Sequence, residues 1–565
     1  MKALTHSDIL AWGGVENRLL STPVLIALAI LSTLGLAFFF PLFDLDEGAF
    51  SEATRELLQS GNWISTYLNG EPRYDKPILI YWLQALSVKG FGLHTISFRL
   101  PSIIAALLWL YFSFRFVREM VNDRSARIFV WMLCCCPVAT VIFKSATADA
   151  LLNLLINLTF FEIYRLNHKA SVKRLCGIAL LTGLGFLTKG PVAAVLPVAA
   201  SLIAFALGGR FRLWLWAVGH PLSWFTFLLV VVPWHVAIYL DQGSDFFRSF
   251  YLGHNLGRFS NTMESHGGSV FYYVLLLPVI LLPFSGLLFR LAKELPRARG
   301  NLLPTFLWSW FLLVLAIFSF SGTQLPHYIL YGMSPLFILL ATHLDAHYDS
   351  LQSNGSGRGM LSIALAGSAI FTLLPFALLL PAMAKLPPYE HEVARAAKEI
   401  FLQVFALPAV SLFVCTAAMT LSSGLTRLHK LLLNALAILL GINFILLPLV
   451  AESRQKPVYQ AALIARELDG DFVSWRINMP SFSVYSRHIT QRREPHAGDY
   501  VFTSSVNLAD LRQQFSAENI QVFHNADGIL LCHIRGPYGP ATFIENQRSS
   551  PGRKPFSQRP GKQAG

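Results

Sequence analysis

The chain has 565 residues, of which 54% are hydrophobic and only 14% are charged. Soluble domains carry about 25% charged residues, so the composition excludes an ordinary soluble enzyme. Many apolar runs approach the ~20 residues that cross a bilayer. Together with a mean hydropathy of +0.50, they predict an all-α polytopic membrane protein. The net charge of +13 indicates attraction to anionic membrane lipid and no nucleic-acid partner.

The apolar runs predict about thirteen membrane spans. The first has no clear small-residue cleavage site, so we expect a retained helix and not a signal peptide. The predicted spans lie near residues 21–41, 97–117, 127–143, 148–164, 175–188, 191–207, 221–240, 270–289, 302–320, 327–343, 361–381, 400–421 and 431–450.

Lys and Arg concentrate in alternate loops, the pattern of cytoplasmic loops. With the N-terminus in the cytoplasm, these loops begin with the one that carries Arg118, Arg124 and Arg127, and the last carries Arg427 and Lys430. The pattern places the loop 42–96, and everything after residue 451, on the outer side.

The chain changes character after residue 450. Short β-branched and aromatic runs at 471–475, 500–503 and 528–532 predict strands, and 457–467 predicts a helix. We therefore divide the chain into a membrane domain at 1–450, a small α/β domain on the outer side at 451–536, and a tail at 537–565. The tail is rich in Pro, Gly, Ser and Arg, which predicts disorder.

The first outer loop is the most informative stretch. Asp46 and Glu47 follow directly on the first apolar run, and acidic groups at a bilayer edge are costly unless they have a function. Residues 47–60 predict an amphipathic helix ended by Gly61, and a second helix begins at Pro77. Both would lie on the membrane surface and hold Asp46, Asp75 and Lys76 there. The alternative is that these charges only flank helices and set topology.

Further ionisable or hydroxyl side chains fall at the outer ends of other spans, where they can converge on one cavity. Each has a plainer interpretation: the lysines snorkel to the interface, the histidines are structural, the arginine is a loop charge, and the aspartate faces a helix dipole. Their shared side of the membrane favours a functional site. They are Lys144, Asp149, Lys189, His254, Arg258, His327 and Tyr328.

This set suggests transfer of a group from a phosphate-bearing lipid. A leaving phosphate needs cations to stabilise its developing charge. The acceptor hydroxyl needs a carboxylate base nearby. Acids and cations around one lipid-accessible cavity meet both needs.

The motifs resemble those of the GT-C glycosyltransferases of the protein O-mannosyltransferase superfamily, and especially the bacterial branch of the lipid A aminoarabinose transferase. The resemblance covers about residues 20–345. It is carried by Asp46-Glu47, Ser60-Gly61-Asn62-Trp63, Leu68-Asn69-Gly70, Tyr74-Asp75-Lys76-Pro77, Tyr81-Trp82, Thr147-Ala148-Asp149, Leu187-Thr188-Lys189-Gly190-Pro191, His254 with Arg258-Phe259, and Leu325-Pro326-His327-Tyr328-Ile329-Leu330.

The resemblance implies a GT-C fold in a bacterial inner membrane and a polyprenyl-phosphate-linked sugar as donor. It implies that transfer occurs at the periplasmic face, by direct displacement that inverts the anomeric centre. It implies that Asp46 is the catalytic carboxylate, and Glu47 and Asp149 are further catalytic candidates. It also implies that the donor phosphate is bound by Lys76, Lys189 and Arg258.

The resemblance also implies a divalent metal ion held by Asp75 and His254. The chain departs from the family pattern in two places. Gly48-Ala49-Phe50 stands where an arginine is usual, and Asp75 stands where the family has a glutamate.

Two other classes of function stay open at this point. A transporter or flippase for a lipid-linked substrate places its ionisable residues near the bilayer midplane, whereas here they gather at outer helix ends. A membrane-anchored binding or assembly protein would act through residues 451–536. The sequence of that segment shows no cluster of candidate catalytic or binding residues. The acceptor (lipid A, another glycan or protein) is not determined by the sequence.

Overall fold

The computed structural model describes residues 18–257, 268–298, 300–351 and 360–536. Two of the predictions, Arg258 and the tail at 537–565, lie outside these residues. The described chain is mostly helical up to residue 465 and then forms a small mixed sheet. The predicted order of the two parts is therefore the observed one.

The helical part is built around one large apolar core, in which Trp109, Trp131 and Trp310 are fully buried. Its α-helices are Thr22–Leu34, Asp46–Ser60, Leu79–Phe91, Thr95–Met120, Asp123–Cys135, Pro137–Phe143, Asp149–Leu166, Val172–Lys189, Val192–Leu207, Phe211–Gly219, Pro221–Gln242, Asp245–Phe247, Tyr272–Ile280, Leu288–Ala292, Leu302–Ser319, Met333–Ala346, Tyr348–Leu351, Met360–Phe371, Pro388–Ile400, Ala406–Leu421, Arg427–Gly441, Leu447–Val450 and Lys456–Ala465.

By length and composition, six of the described helices could cross a membrane, or eight if two bent pairs each count as one span. The predicted span at 127–143 contains a sharp bend. It consists of two helices, Asp123–Cys135 and Pro137–Phe143, bent by 75°, because Pro137 cannot continue the backbone hydrogen bonds of the first helix. The predicted span at 270–289 is likewise a bent pair, with an angle of 116°. The count of thirteen stays a prediction.

The two ends of the helical bundle carry different chemistry. Asp149 begins an 18-residue helix that has Arg165 in its last turn. The next helix returns from Arg174 to Lys189. At one end Arg165 and Arg174 both pair with Glu162, and at the other Lys189 pairs with Asp149 at 2.5 Å. An 18-residue helix is about 27 Å long, so the two groups lie on opposite sides of a layer as thick as the hydrocarbon core.

The first outer loop contains the two predicted helices, observed as Asp46–Ser60 and Leu79–Phe91. Gly61 ends the first with a φ of +71°, as its position predicts. Between the helices lies a hairpin that was not predicted, with strands β1 (Tyr67–Leu68) and β2 (Glu71–Pro72). Its turn is Asn69-Gly70, both with positive φ, the sequence that two-residue hairpin turns favour.

The C-terminal sheet has the strand order β4-β3-β5-β7-β6. The strands are β3 (Phe472–Ser474), β4 (Thr490–Gln491), β5 (Tyr500–Ser504), β6 (Ile520–Ala526) and β7 (Ile529–Ile534). Strand β3 is parallel to β4 and β5, and β5, β7 and β6 are antiparallel in turn. The three predicted strands and the helix before them are confirmed, whereas β4 and β6 were not predicted.

Both faces of this sheet are covered. Successive residues of a strand point to opposite faces, so Phe502 packs on one side with Phe482, and Val501 on the other with Leu511. The short helix Ser481–Ser486 follows β3 and packs on the sheet through Phe482. Its Ser481 and Ser483 contact the first outer loop. The sheet and the loop are therefore parts of one packed assembly.

Candidate active site

Asp46 and Glu47 begin the helix Asp46–Ser60 and point in different directions. Neighbouring residues of an α-helix are about 100° apart around its axis. Glu47 is 3% exposed and forms an ion pair of 2.7 Å with Arg99, while Asp46 is exposed. The charge of Asp46 acts on both Arg73 and His327. Of these two adjacent carboxylates, only Asp46 is therefore open to a substrate.

The Glu47–Arg99 pair anchors the whole start of the loop. Glu47 also accepts hydrogen bonds from the backbone N–H groups of Phe43 and Ala146, at 2.8 and 2.6 Å. Arg99 donates to the carbonyl oxygens of Ala37, Phe40 and Pro41. This network fixes the end of the first span and, through it, the first turn of the helix that carries Asp46.

A second cluster surrounds Asp75. Its Oδ1 lies 3.0 Å from Nε2 of His254, and its Oδ2 lies 3.0 Å from the Arg73 guanidinium. Burial raises the pKa of Asp75, but the hydrogen bond from His254 and the charges of Arg73 and Lys76 outweigh it and hold the pKa well below its usual range. Asp75 is therefore ionised at every physiological pH.

A third cluster lies at the ends of two spans. The Lys189 ammonium donates to Asp149 at 2.5 Å and to the Tyr331 hydroxyl at 3.0 Å. The Tyr331 hydroxyl donates to the same Asp149 oxygen at 2.9 Å, and Nε2 of His327 lies 3.8 Å from it. Asp149 is thus held as the counter-ion of Lys189, and its catalytic role stays a prediction.

A cavity of about 340 Å³ connects the second and third clusters. Most of its wall is apolar and includes Val195, Leu196 and Phe250, while Lys76 and Lys189 stand at its polar side. The Lys189 ammonium also lies 5.1 Å from the centre of the Tyr328 ring, in cation–π range. An apolar cleft with two ammonium groups suits a lipid that carries a phosphate.

Most of the predicted site residues are brought together. Asp75, Lys76, Lys189, His254 and Tyr328 line this cavity. Asp149 pairs with Lys189, and His327 packs against Tyr328. The charge of Asp46 acts on His327. Lys144 does not belong to the set, because its ammonium is buried against Asn443 and the Gly35 carbonyl. Arg258 lies outside the described residues.

Two arginines of the site were not singled out from the sequence. Arg99 holds Glu47, and Arg73 stands between Asp46 and Asp75. Arg73 directly precedes the motif Tyr74-Asp75-Lys76-Pro77. Its positive charge two residues before Asp75 could have indicated that the two side chains pair. Arg99 lies inside a predicted span, where an arginine is costly unless paired, and that rule could have found it.

The described residues do not fit a tightly held metal ion. A four-coordinate catalytic site usually has three protein ligands, and the described part of the chain contains no group of three or more His, Cys, Asp or Glu suited to one. One oxygen of Asp75 is taken by Arg73, and Nδ1 of His254 is buried without the hydrogen-bond partner that orients most metal-bound histidines.

Comparison with known proteins shows what this chain is similar to. Residues 75–236 match the family model of dolichyl-phosphate-mannose-protein mannosyltransferases. The undecaprenyl phosphate-α-4-amino-4-deoxy-L-arabinose arabinosyl transferase of Pseudomonas paraeruginosa is 30% identical over 339 residues, which are 58% of this chain and 61% of that protein. The enzyme of the same name from Yersinia enterocolitica is 29% identical, over 56% and 58% of the two chains.

The resemblance in the motifs is confirmed. The matches to these curated relatives span about three-fifths of the relatives' own length. The crystal structure of ArnT from Cupriavidus metallidurans bound to undecaprenyl phosphate aligns over 91% of this chain and 99% of that one, with a TM-score of 0.74 and 20% sequence identity. At this identity the likeness shows the fold, and the predicted GT-C architecture with its small C-terminal sheet is the observed one.

Proposed function

We propose that this chain is an integral membrane glycosyltransferase that moves a sugar from a polyprenyl phosphate to an acceptor of the cell envelope. The observation that carries the proposal is the apolar cavity with Lys76 and Lys189 at its polar side. The charge of the exposed Asp46 acts on His327, which packs against Tyr328 in the cavity wall. The relatives named for transfer from undecaprenyl phosphate support the same donor class.

In the proposed reaction, the isoprenoid chain of the donor lies along the apolar wall of the cavity. Its phosphate faces Lys76 and Lys189. Asp149 and Tyr331 fix the Lys189 ammonium, so this cation does not have to be reorganised as negative charge grows on the leaving phosphate. Arg258 and a metal ion at Asp75 and His254 remain proposals from the family pattern.

Asp46 acts on the acceptor. Its carboxylate accepts a proton from the acceptor hydroxyl as the oxygen attacks the anomeric carbon, and the bond from that carbon to the phosphate oxygen breaks. Polyprenyl phosphate leaves with the bonding electron pair. A single displacement of this kind inverts the anomeric centre.

We further propose that the site faces the periplasm in a bacterial inner membrane. The support is the segregation of paired arginines at one end of the bundle and of the Asp149–Lys189 pair at the other. An impermeant thiol reagent added outside should label a cysteine introduced at the exposed Glu71. Labelling only after permeabilisation would reject this orientation.

The activity test uses purified protein in proteoliposomes that contain an undecaprenyl-phosphate-linked sugar and an envelope extract. We expect undecaprenyl phosphate to be released, and one fraction of the extract to gain the mass of one sugar residue by mass spectrometry. A donor that stays intact but moves to the other leaflet would instead show a flippase and reject the proposal.

A further inference from the structure

A second and larger cavity, of about 1110 Å³, lies on the outer side of the site, between the first outer loop and the C-terminal sheet. One wall is the β1–β2 hairpin and the chain up to Asp75. The other is formed by residues 474–478 and 489–494 of the C-terminal part. We call this the outer cavity. It is larger than the ~300–1,000 Å³ typical of small-molecule sites, so it has room for several sugar rings.

We call the 340 Å³ cavity of the candidate active site the lipid cavity. The outer cavity meets the lipid cavity at one residue. Asp75 lines both, and its neighbours divide between them, with Arg73 in the outer cavity and Lys76 in the lipid cavity. The charge of Asp46 acts on Arg73 from the same region. A molecule in the outer cavity would therefore present its reacting hydroxyl where the donor phosphate and the catalytic carboxylate come together.

The lining of the outer cavity suits a saccharide and not a lipid tail. It includes Asn69, Asn478 and Gln491, which offer amide donors and acceptors to hydroxyl groups. Four arginines and three carboxylates also line it: Arg73, Arg476, Arg492, Arg493, Glu71, Asp75 and Glu494.

One of these arginines is distinguished by its contacts. Arg73 pairs with Asp75, Arg476 with Asp510, and Arg493 with Asp499. Arg492 is exposed and, among the described residues, forms no ion pair and no hydrogen bond with another side chain. A guanidinium is a planar fork that matches carboxylate and phosphate oxygens.

We propose that the C-terminal domain recognises the acceptor: the outer cavity holds the headgroup of an anionic saccharide, and Arg492 binds its negative group. The proposal rests on the proposed glycosyl transfer and assigns the acceptor side of that reaction. Arg492 is a binding residue remote from the reacting atoms, so its loss weakens acceptor binding and leaves the chemical step unchanged.

The test compares three forms of the full-length protein: wild type, Arg492→Ala and Arg512→Ala. Arg512 is an equally exposed arginine of the C-terminal part that does not line the cavity, so its variant controls for the loss of one positive charge. The acceptor probe is the anionic glycolipid fraction extracted from cells that lack the protein, titrated at saturating undecaprenyl-phosphate-linked sugar. The same fraction after alkaline deacylation separates a membrane-borne headgroup from a free saccharide.

A hydrogen bond between a guanidinium and an anionic group is stronger than one between neutral groups. We therefore expect Arg492→Ala to raise the half-saturating acceptor concentration about tenfold or more, in whichever form of the fraction is the better acceptor. The maximal rate and the half-saturating donor concentration should change less than about threefold. Arg512→Ala should match the wild type, and Arg492→Lys should fall between.

Equal half-saturating acceptor concentrations in the wild type and Arg492→Ala would overturn the proposal. So would an equal rise in Arg492→Ala and Arg512→Ala, since that would show a diffuse charge effect. Either result leaves the proposed function standing, because transfer by the wild type is measured in the same experiment. A wild type that does not consume the donor would instead reject the proposed function, and the acceptor site with it.

Discussion

At the residue scale, the Glu47–Arg99 pair gives a stability prediction. Both side chains are almost completely buried, so Glu47→Gln would leave the Arg99 charge without its counter-ion. Removing one partner of a buried pair costs about 3–5 kcal/mol. We expect a clearly lower melting temperature of the purified protein, with Asp510→Asn as the control.

Asp510 pairs with Arg476 at the surface, where both side chains are more than half exposed. An exposed pair of this kind is worth ~0–1 kcal/mol. Equal melting temperatures for Glu47→Gln and Asp510→Asn would contradict the anchoring role of Glu47. Because Glu47→Gln is expected to lower activity through folding, it is not a suitable control for Asp46→Asn.

Lys189 gives a prediction about the donor. Its ammonium lines the lipid cavity, whereas that of Lys144 is buried against Asn443 outside it. Lys189→Gln removes a cation that meets the phosphate before and during transfer, so it should raise the donor KM and lower kcat, with a combined loss in kcat/KM of about 10- to 100-fold. Lys144→Gln should leave the donor KM unchanged. Equal donor KM values for the two variants would contradict the assignment of the cavity.

At the element scale, the helix Ser481–Ser486 is joined to the loop that carries Asp46. Asp44 accepts hydrogen bonds from the backbone N–H and the hydroxyl of Ser481. The Tyr485 hydroxyl lies 2.6 Å from the Leu42 nitrogen, which donates to it. The Ser483 hydroxyl donates to Asn69 at the hairpin turn. The C-terminal domain thus holds both ends of the loop segment around Asp46.

Gly48 tests this docking. In an exposed helix interior, Gly→Ala gains about 1 kcal/mol from helix propensity. At Gly48, however, a Cβ would lie 2.6 Å from the Ser481 nitrogen and would also meet Asp44, so backbone must move. Gly48→Ala should therefore lower the melting temperature and the transfer rate. Gly90→Ala is the matched control, since a Cβ there meets nothing within 4 Å. Equal, slightly raised melting temperatures in both variants would reject the close approach.

The raised pKa of Asp44 predicts that the stability of the protein depends on pH through the same contact. Burial raises its pKa from 3.8 to about 7, although the hydrogen bonds from Ser481 favour the charged form. A carboxyl group whose pKa is raised by folding stabilises the fold when it is protonated, so this contribution is complete below about pH 4 and is lost as the pH rises through 7. The melting temperature should fall between about pH 4 and 7, and Asp44→Asn should flatten that slope. Identical slopes would show that another group titrates.

At the scale of the whole molecule, the sequence predicts what local patterns determine. The helix Asp46–Ser60 and the strands β3, β5 and β7 follow from periodicity, and the family motifs indicated the residues of the lipid cavity. Contacts between segments distant in the sequence could not be predicted from local patterns. Glu47 and Arg99 are 52 residues apart, and Asp44 and Ser481 are 437 apart. No local sequence pattern relates such pairs. The outer cavity and the buried ion pair of Glu47 could therefore be recognised only in the structure.

The central claim is that Asp46 activates the acceptor while the lysines of the lipid cavity hold the donor. Asp46→Asn keeps the size of the side chain and removes its charge. Because Asp46 is exposed at the first turn of its helix and has no buried partner comparable to that of Glu47, folding and donor binding should survive. Asp471→Asn, at an exposed carboxylate beside β3, is the control.

The decisive measurement is the rate of sugar transfer from undecaprenyl phosphate by purified Asp46→Asn protein, with donor binding measured on the same sample. A general base typically contributes 10²- to 10⁴-fold. We predict a fall in kcat of about a hundredfold or more at an unchanged donor affinity, with Asp471→Asn at the wild-type rate. An Asp46→Asn protein that binds the donor and transfers sugar at nearly the wild-type rate would contradict the account.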